Sequence, residues 1–218
     1  MKFNCVIFDC DGTLVDTLQD IADAMNLSLV EHGFPVLPLV KYRDIVGWGI
    51  IRLAELALPQ DARTKDNIHW VSNYARRLME LQPIEKSLAK PYPGISELLN
   101  DLRAKKIKTV VLSNKPDAAL RKIIAAIFPH HTFNAVCGLL PDMPPKPSPV
   151  MVWELLADIG VNPHEAVFMG DSEIDMETAR NAGCYPLGVS WGFRSRATIE
   201  AAGAVSIIDK PGDIFTLL

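Results

Sequence analysis

Phe3-Asn4-Cys5-Val6-Ile7-Phe8-Asp9-Cys10-Asp11-Gly12-Thr13-Leu14 begins two residues into the chain and decides how the rest is read. An apolar run that stops at an acidic residue has the form of a buried strand leading into a turn. Asp9 and Asp11 lie two apart, so in extended backbone they project to the same side at the strand's carboxyl end, and Gly12 permits the tight turn after them. Adjacent carboxylates repel, and a divalent cation held by hard oxygen ligands offsets that repulsion. The same residues also suit a plain Asp11-Gly12 turn, followed by Thr13 and Asp16 as a capping box that starts a helix.

Further along, short β-prone runs at 109–112, 135–138, 166–170, 185–190 and 205–208 alternate with amphipathic stretches at 95–105, 117–128, 149–159 and 173–182. Ser148-Pro149 reads as the cap and first residue of one helix, and Gly160 and Gly183 read as helix stops. Strand and helix in alternation predict an α/β fold, a Rossmann-like parallel sheet flanked by helices, with sites beyond the strands' carboxyl ends. Between them the pattern changes: 19–32, 39–46, 50–57 and 61–82 are helix-like, with no convincing strand. The expected organisation is a core of residues 1–16 and 91–218 and an inserted all-α cap domain of residues 17–90, hinged near Asp16 and Lys90, where Lys90-Pro91-Tyr92-Pro93-Gly94 marks the boundary.

The chain has 218 residues, 49% apolar and 22% charged, enough for one substantial core or a large domain with a small companion. A net charge of −4 offers no basic field for a polyanion, so nucleic acid is not an expected partner. Cys5, Cys10, Cys137 and Cys184 form no CxxC pair and sit in or beside apolar runs, as reduced core thiols do. The first apolar run is too short and too acidic for a signal peptide, and no run reaches membrane-spanning length. The expectation is a cytoplasmic protein without membrane contact, a monomer or weak homodimer.

A second acidic group, Gly170-Asp171-Ser172-Glu173-Ile174-Asp175, also follows an apolar strand. On a helix Asp171 and Asp175 share a face, although Ser172 and Asp175 also make an ordinary capping box. Parallel strands bring Asp171 to the sheet edge that carries Asp9 and Asp11, and the converging oxygens suit Mg²⁺. Ser113-Asn114-Lys115-Pro116 ends another strand and offers a hydroxyl, an amide and helix N–H groups to an anion, or a simple N-cap. Lys146, within the proline-rich segment 141–149, offers a cation on a stiff backbone. In the insertion, Gly47-Trp48-Gly49 forms either a closing loop or a packed turn, and Arg43 and Arg52 flank it as candidate partners for a second anionic group.

Four groups in this order, Asp9-x-Asp11-Gly12-Thr13-Leu14, Ser113-Asn114, Lys146-Pro147-x-Pro149 and Gly170-Asp171-Ser172-x-x-Asp175, resemble the signature motifs of the haloacid dehalogenase superfamily. The insertion resembles its small α-helical cap, and Ser113-Asn114-Lys115-Pro116 with Val46-Gly47-Trp48-Gly49 resembles its phosphoglycolate-phosphatase-like branch. The resemblance implies a Mg²⁺-dependent phosphomonoester hydrolase acting on a small-molecule phosphate ester. In it, Asp9 is the nucleophile that forms an aspartyl-phosphate, and Asp11 is the general acid and base. Ser113 and Asn114 hold the phosphoryl oxygens, Lys146 orients Asp9, and Asp9, Asp11, Asp171 and Asp175 surround the metal, Asp11 through its backbone carbonyl. Asp11 argues against dehalogenase chemistry. A sugar-phosphate mutase resembling β-phosphoglucomutase shares the same core residues, and a non-catalytic phospho-aspartate module is the alternative from another class.

Overall fold

The computed structural model of the chain describes residues 3–218; residues 1–2 of the expected core segment lie outside them. In chain order the strands are β1 (Cys5–Phe8), β2 (Val15–Asp16), β3 (Lys90–Pro91), β4 (Lys108–Pro116), β5 (Ala135–Leu139), β6 (Ala166–Gly170), β7 (Tyr185–Val189) and β8 (Ser206–Ile208). The helices are α1 (Leu18–Glu31), α2 (Leu39–Ile45), α3 (Ile50–Ala57), α4 (Lys65–Leu81), α5 (Ile95–Ala104), α6 (Asp117–Ile127), α7 (Val150–Asp158), α8 (Glu173–Ala182) and α9 (Arg196–Ala201).

Six strands form a wholly parallel sheet in the order β5-β4-β1-β6-β7-β8, which is the expected α/β architecture. The acid-bearing β1 lies inside the sheet, and its end is level with both neighbours, Phe8 pairing with Val111 and with Met169. On one side of β1 the chain adds β4 and β5, on the other β6 to β8, so β1 borders the point where the strand order reverses. Its side chains alternate between two buried faces. Val6 and Phe8 pack with Leu98, Leu99 and Leu102 of α5, whereas Cys5 and Ile7 pack with Val152 and Leu156 of α7 and Ala179 of α8.

Helices α1 to α4 lie between β2 and β3 and bury a cluster of their own. Leu18, Ile21, Met25 and Leu29 of α1 repeat at helical spacing and meet Tyr42, Leu53, Ala54, Val71 and Ala75. Tyr42 is fully buried, and its hydroxyl donates to Asn26 Oδ1 at 2.8 Å. From outside the insertion, Phe193 reaches into the same cluster.

Several local expectations are corrected. The ends of the insertion are not bare loops: β2 and β3 pair antiparallel, Val15 with Pro91 and Asp16 with Lys90, a pair too short to show a period in sequence. Thr13 and Asp16 do not cap α1, which starts at Leu18; the Thr13 hydroxyl donates instead to Asp171 Oδ1 at 3.1 Å. Helix α4 starts at Lys65 because Thr64 Oγ1 accepts from the Asn67 N–H, and Pro149 stands at the N-cap of α7 rather than in its first turn. Strand β4 runs to Pro116, which caps α6 instead of lying within it. Against β5 its register shifts: Leu112 pairs with Cys137 and Pro116 with Leu139, so β4 bulges through Ser113, Asn114 and Lys115.

All four cysteines are unpaired and buried, and no helix of the described residues is long and apolar enough to cross a membrane. The β4 bulge depends on Gly138, where a Cβ would fall 2.5 Å from Asp117 Cα and 2.7 Å from the Lys115 carbonyl oxygen. Gly138→Ala is therefore expected to cost about 1–3 kcal/mol in urea denaturation. Gly212→Ala, with nothing within 4 Å of its Cβ, is expected to stay within about 0.5 kcal/mol of the parent protein.

Candidate active site

Strand β1 delivers Asp9 to the sheet's carboxyl edge, where its backbone N–H bonds the Met169 carbonyl at 3.0 Å. Asp9 Oδ1 accepts from the Cys10 N–H at 2.7 Å and is paired with Lys146 Nζ at 3.0 Å, while Oδ2 accepts no hydrogen bond among the described residues. Lys146 Nζ also bonds Asp175 Oδ1 at 2.7 Å, and Asp175 Oδ2 accepts from the Ser172 N–H and hydroxyl at 3.1 and 2.6 Å. The expected capping box at Ser172 is present. Asp175 thus both caps α8 and holds the lysine. Asp171 is fixed by the Thr13 hydroxyl and by the Phe193 N–H at 2.7 Å.

Asp9, Asp171 and Asp175, all buried, each place one carboxylate oxygen within 4.8 Å of the others. Their approach needs glycine. A Cβ at Gly12, Gly170 or Gly192 would meet Asp171, Asp175 and Asp171 respectively at 2.4, 2.3 and 2.2 Å. Burial, with Asp175 and Asp11 nearby and against the opposing pull of Lys146, pushes the Asp9 carboxyl up to about 7. Burial followed by the charges of Asp175 and Asp9 pushes Asp171 up to about 8. Burial works to lower the Lys146 ammonium, yet Asp175 and Asp9 hold it above the usual lysine range. When all three are ionised, three carboxylates against one ammonium leave two negative charges in a buried site. That donor set, hard oxygens with a deficit of two positive charges, fits a divalent cation such as Mg²⁺.

Asp11 is not among the three. Its Oδ1 accepts from the Thr17 hydroxyl at 2.6 Å and from Lys115 Nζ at 3.0 Å. Asn114 is fully engaged: Nδ2 donates to the carbonyls of Gly47 at 2.9 Å and Lys146 at 3.1 Å, and Oδ1 accepts from the Lys146 N–H at 2.8 Å. Its side chain positions Lys146 and the insertion, in place of the phosphoryl contact expected for it. The Ser113 hydroxyl accepts weakly from the Lys115 N–H at 3.3 Å and keeps its own proton to donate.

A cavity of ≈ 40 Å³ stands over Asp9 and Asp11. Ser113, Asn114, Lys115 and Pro116 wall it from the sheet, and Ile21, Val46, Gly47, Gly49, Ile50, Leu53 and Met79 wall it from the insertion. Of the five insertion residues singled out in sequence, Gly47 and Gly49 are here. Trp48 is half-buried, neither in the insertion's core nor over the acids, and with Arg52 it lines a separate groove of ≈ 710 Å³ beside Leu139 and Leu140. Arg52 pairs with Glu55 at 2.6 Å, and Arg43 is exposed in another hollow with Asp20. Helix rotation decides this: the apolar residues of α3 turn Leu53 inward and leave Arg52 outward.

Four functional contacts were missed from sequence, those of Lys115, Thr13, Thr17 and Arg194. Lys115 stood beside the Ser113-Asn114 pair and carried the signal of an extra cation. Thr13 followed the acidic pair but read as a helix cap, and Thr17 was not singled out. Arg194 gave no signal; it is buried, pairs with Glu173 at 3.0 Å, and donates to the carbonyls of Val46 at 2.8 Å and of Arg43.

Known proteins share this architecture and length. Phosphoglycolate phosphatase of Caulobacter vibrioides is 33% identical over 226 residues, which take in 98% of this chain and 91% of that protein. The phosphoglycolate phosphatase of Rhodospirillum rubrum is 32% identical over 208 residues, covering 94% and 86%. The crystal structure of a predicted phosphoglycolate phosphatase from Haemophilus somnus matches with a TM-score of 0.86 at 27% identity, over 100% of this chain and 98% of that one. Residues 6–189 match the family model of the haloacid dehalogenase-like hydrolases, and with the acidic cluster, the lysine and the serine all at the carboxyl edge of its sheet, the chain belongs to that family.

Proposed function

We propose that the protein is a Mg²⁺-dependent phosphomonoester hydrolase that works through an aspartyl-phosphate on Asp9 and acts on a small, phosphoglycolate-like metabolite. The observation that carries this reading is the Asp9 carboxylate: one oxygen is tethered to Lys146 and the Cys10 N–H, and the other, among the described residues, is without a hydrogen bond beside the cavity. Asp9 attacks phosphorus in line; the new Asp9–phosphorus bond forms as the ester P–O bond breaks. Asp11, turning from Thr17 and Lys115, gives its proton to the departing alkoxide. It then takes a proton from the water that attacks the aspartyl-phosphate and restores Asp9. Ser113 donates to a phosphoryl oxygen, and Lys146 keeps Asp9 oriented and balances charge. Asp9, Asp171 and Asp175, with the Asp11 backbone carbonyl, would hold Mg²⁺, which would supply the positive charge needed for a phosphate dianion to approach.

Residues 17–90 act as a cap in this reading, with the β2–β3 pair as its hinge. The apolar wall from Ile21, Val46, Ile50, Leu53 and Met79 excludes water from the intermediate. Opening the cap breaks the bonds from Asn114 to Gly47 and from Arg194 to Val46. Arg194→Ala is expected to enlarge the radius of gyration in solution scattering without ligand, and a phosphate mimic with Mg²⁺ is expected to reverse it. An unchanged envelope in both states contradicts a moving cap.

Phosphate release from phosphoglycolate, sugar phosphates and nucleotides, with Mg²⁺ and with EDTA, tests the reaction. Asp9→Asn is expected to lower kcat by about 1,000-fold or more, and EDTA to abolish release. Metal-independent release, or an active Asp9→Asn protein, contradicts the mechanism.

The acidic cluster also makes stability depend on pH. Asp9 and Asp171 titrate near 7 and 8 when folded, well above the ordinary carboxylate, so the folded metal-free protein binds the extra protons. Their contribution is favourable below about pH 4 and is lost as pH rises through 7 to 8. In EDTA, Tm is therefore expected to fall between about pH 5.5 and 8.5. Mg²⁺ is expected to raise Tm by several degrees at the higher pH and little at the lower, because it displaces protons from the acids. Calorimetric scans that show equal shifts at both pH values contradict a carboxylate metal site.

A further inference from the structure

The insertion's side of the cavity, among the described residues, carries no charge: Ile21, Val46, Ile50, Leu53 and Met79 face it. On the sheet side, Lys146 is consumed between Asp9 and Asp175 and does not line the space. Lys115 is then the one cationic side chain, among the described residues, that does. It arrives there on the β4 bulge, with only 6% of its side chain exposed. Its ammonium carries three N–H groups, and its hydrogen bonds are all to the Asp11 carboxylate, at 3.0 and 3.4 Å. Two oxygens engage at most two of the three donors.

A buried anion without a partner is costly, and a buried ammonium with an unmatched donor is costly as well. An anionic group on the leaving alcohol has one cationic side chain to meet in this cavity, and an uncharged alcohol gives that ammonium no anionic partner there beyond the protein's own acids. The free space beside Lys115 is small, ≈ 40 Å³, and so favours a short leaving group. We propose that Lys115 is a specificity-determining residue that pairs with a carboxylate on a short leaving alcohol, so that the preferred esters are small phosphorylated hydroxy acids. This rests on the hydrolase reading above. The Asp11 carboxylate already on Lys115 shows that the position accepts such a group, and the arginines Arg43 and Arg52 face elsewhere.

The test compares 2-phosphoglycolate with isobutyl phosphate, which has the same branched shape without the charge. The parent protein with Mg²⁺ is expected to favour phosphoglycolate in kcat/KM by about thirtyfold or more. Lys115→Met is expected to bring that ratio close to one, and Lys115→Arg to keep most of it, each variant first checked for a cooperative melting transition. Equal losses on both esters in Lys115→Met mean that the lysine only positions Asp11 and overturn the proposal, as does a parent protein that prefers isobutyl phosphate. If the folded, Mg²⁺-loaded parent protein hydrolyses neither ester nor any member of the wider panel, the hydrolase reading itself falls.

Discussion

Asp9, Asp171 and Asp175 each place a carboxylate oxygen within 4.8 Å of the others, and Lys146 pairs with Asp9 at 3.0 Å and Asp175 at 2.7 Å. Most of the core is shaped to tolerate that crowding. Neighbouring parallel strands β1 and β6 end side by side, so their terminal acids converge without any bend in the chain. Glycines at 12, 170 and 192 remove the side chains that would otherwise occupy the acids' space. Backbone N–H groups of Cys10, Phe193 and Ser172 each point at a carboxylate oxygen. What offsets the remaining repulsion is hydrocarbon: both faces of the sheet are covered, and Val6, Ile7 and Phe8, immediately before the first acid, are fully buried.

Above this charged floor the helical insertion contributes a roof of hydrocarbon, and the contacts that hold the roof share one form. Core side chains reach up to carbonyl oxygens near the ends of insertion helices. Arg194 binds those of Arg43 and Val46 after α2, and Lys122 binds those of Glu80 and Gln82 after α4. Cations at helix carboxyl termini complement the helix dipole, so the grip is electrostatic and independent of the insertion's side chains. The cavity wall and the insertion's own core are built from shared residues, since Ile21, Val46 and Leu53 belong to both.

The acids and the sheet were legible in sequence because each depends on a local pattern. A strand that ends in Asp9-x-Asp11 shows its side-chain direction through the period of two, and Gly170-Asp171 repeats the arrangement. Lys146 was legible only through the resemblance, since nothing local marks a loop lysine as buried. The structural part of Asn114 was not legible because its two-sided amide bonds partners 67 and 32 residues away, Gly47 and Lys146, which no local pattern links. The length of β4 was missed for a related reason: its last residues are polar, and only the register shift against Gly138 makes them strand. Trp48, Arg43 and Arg52 were chosen by residue type, but the rotation of the insertion's helices, set by apolar packing around Tyr42, turns them off the acids.

Asn114 ties the two halves of the site together. Its amide holds the backbone of Lys146 on one side and the Gly47 carbonyl on the other, and Lys146 in turn holds Asp9 and Asp175. The roof and the acidic floor are therefore joined through one buried side chain that accepts one hydrogen bond and donates two. Any displacement of the loop at Gly47 withdraws an acceptor from the amide that fixes the lysine backbone. Gly47 itself has a φ of 119° and comes so near α8 that a Cβ there would lie 2.9 Å from Ile174. A side chain at that position strains the backbone and moves the carbonyl at once. The glycine first noticed as a flexible loop thus serves a fixed geometry: it lets the roof come close enough to share a hydrogen bond with the residue that orders the lysine beneath it.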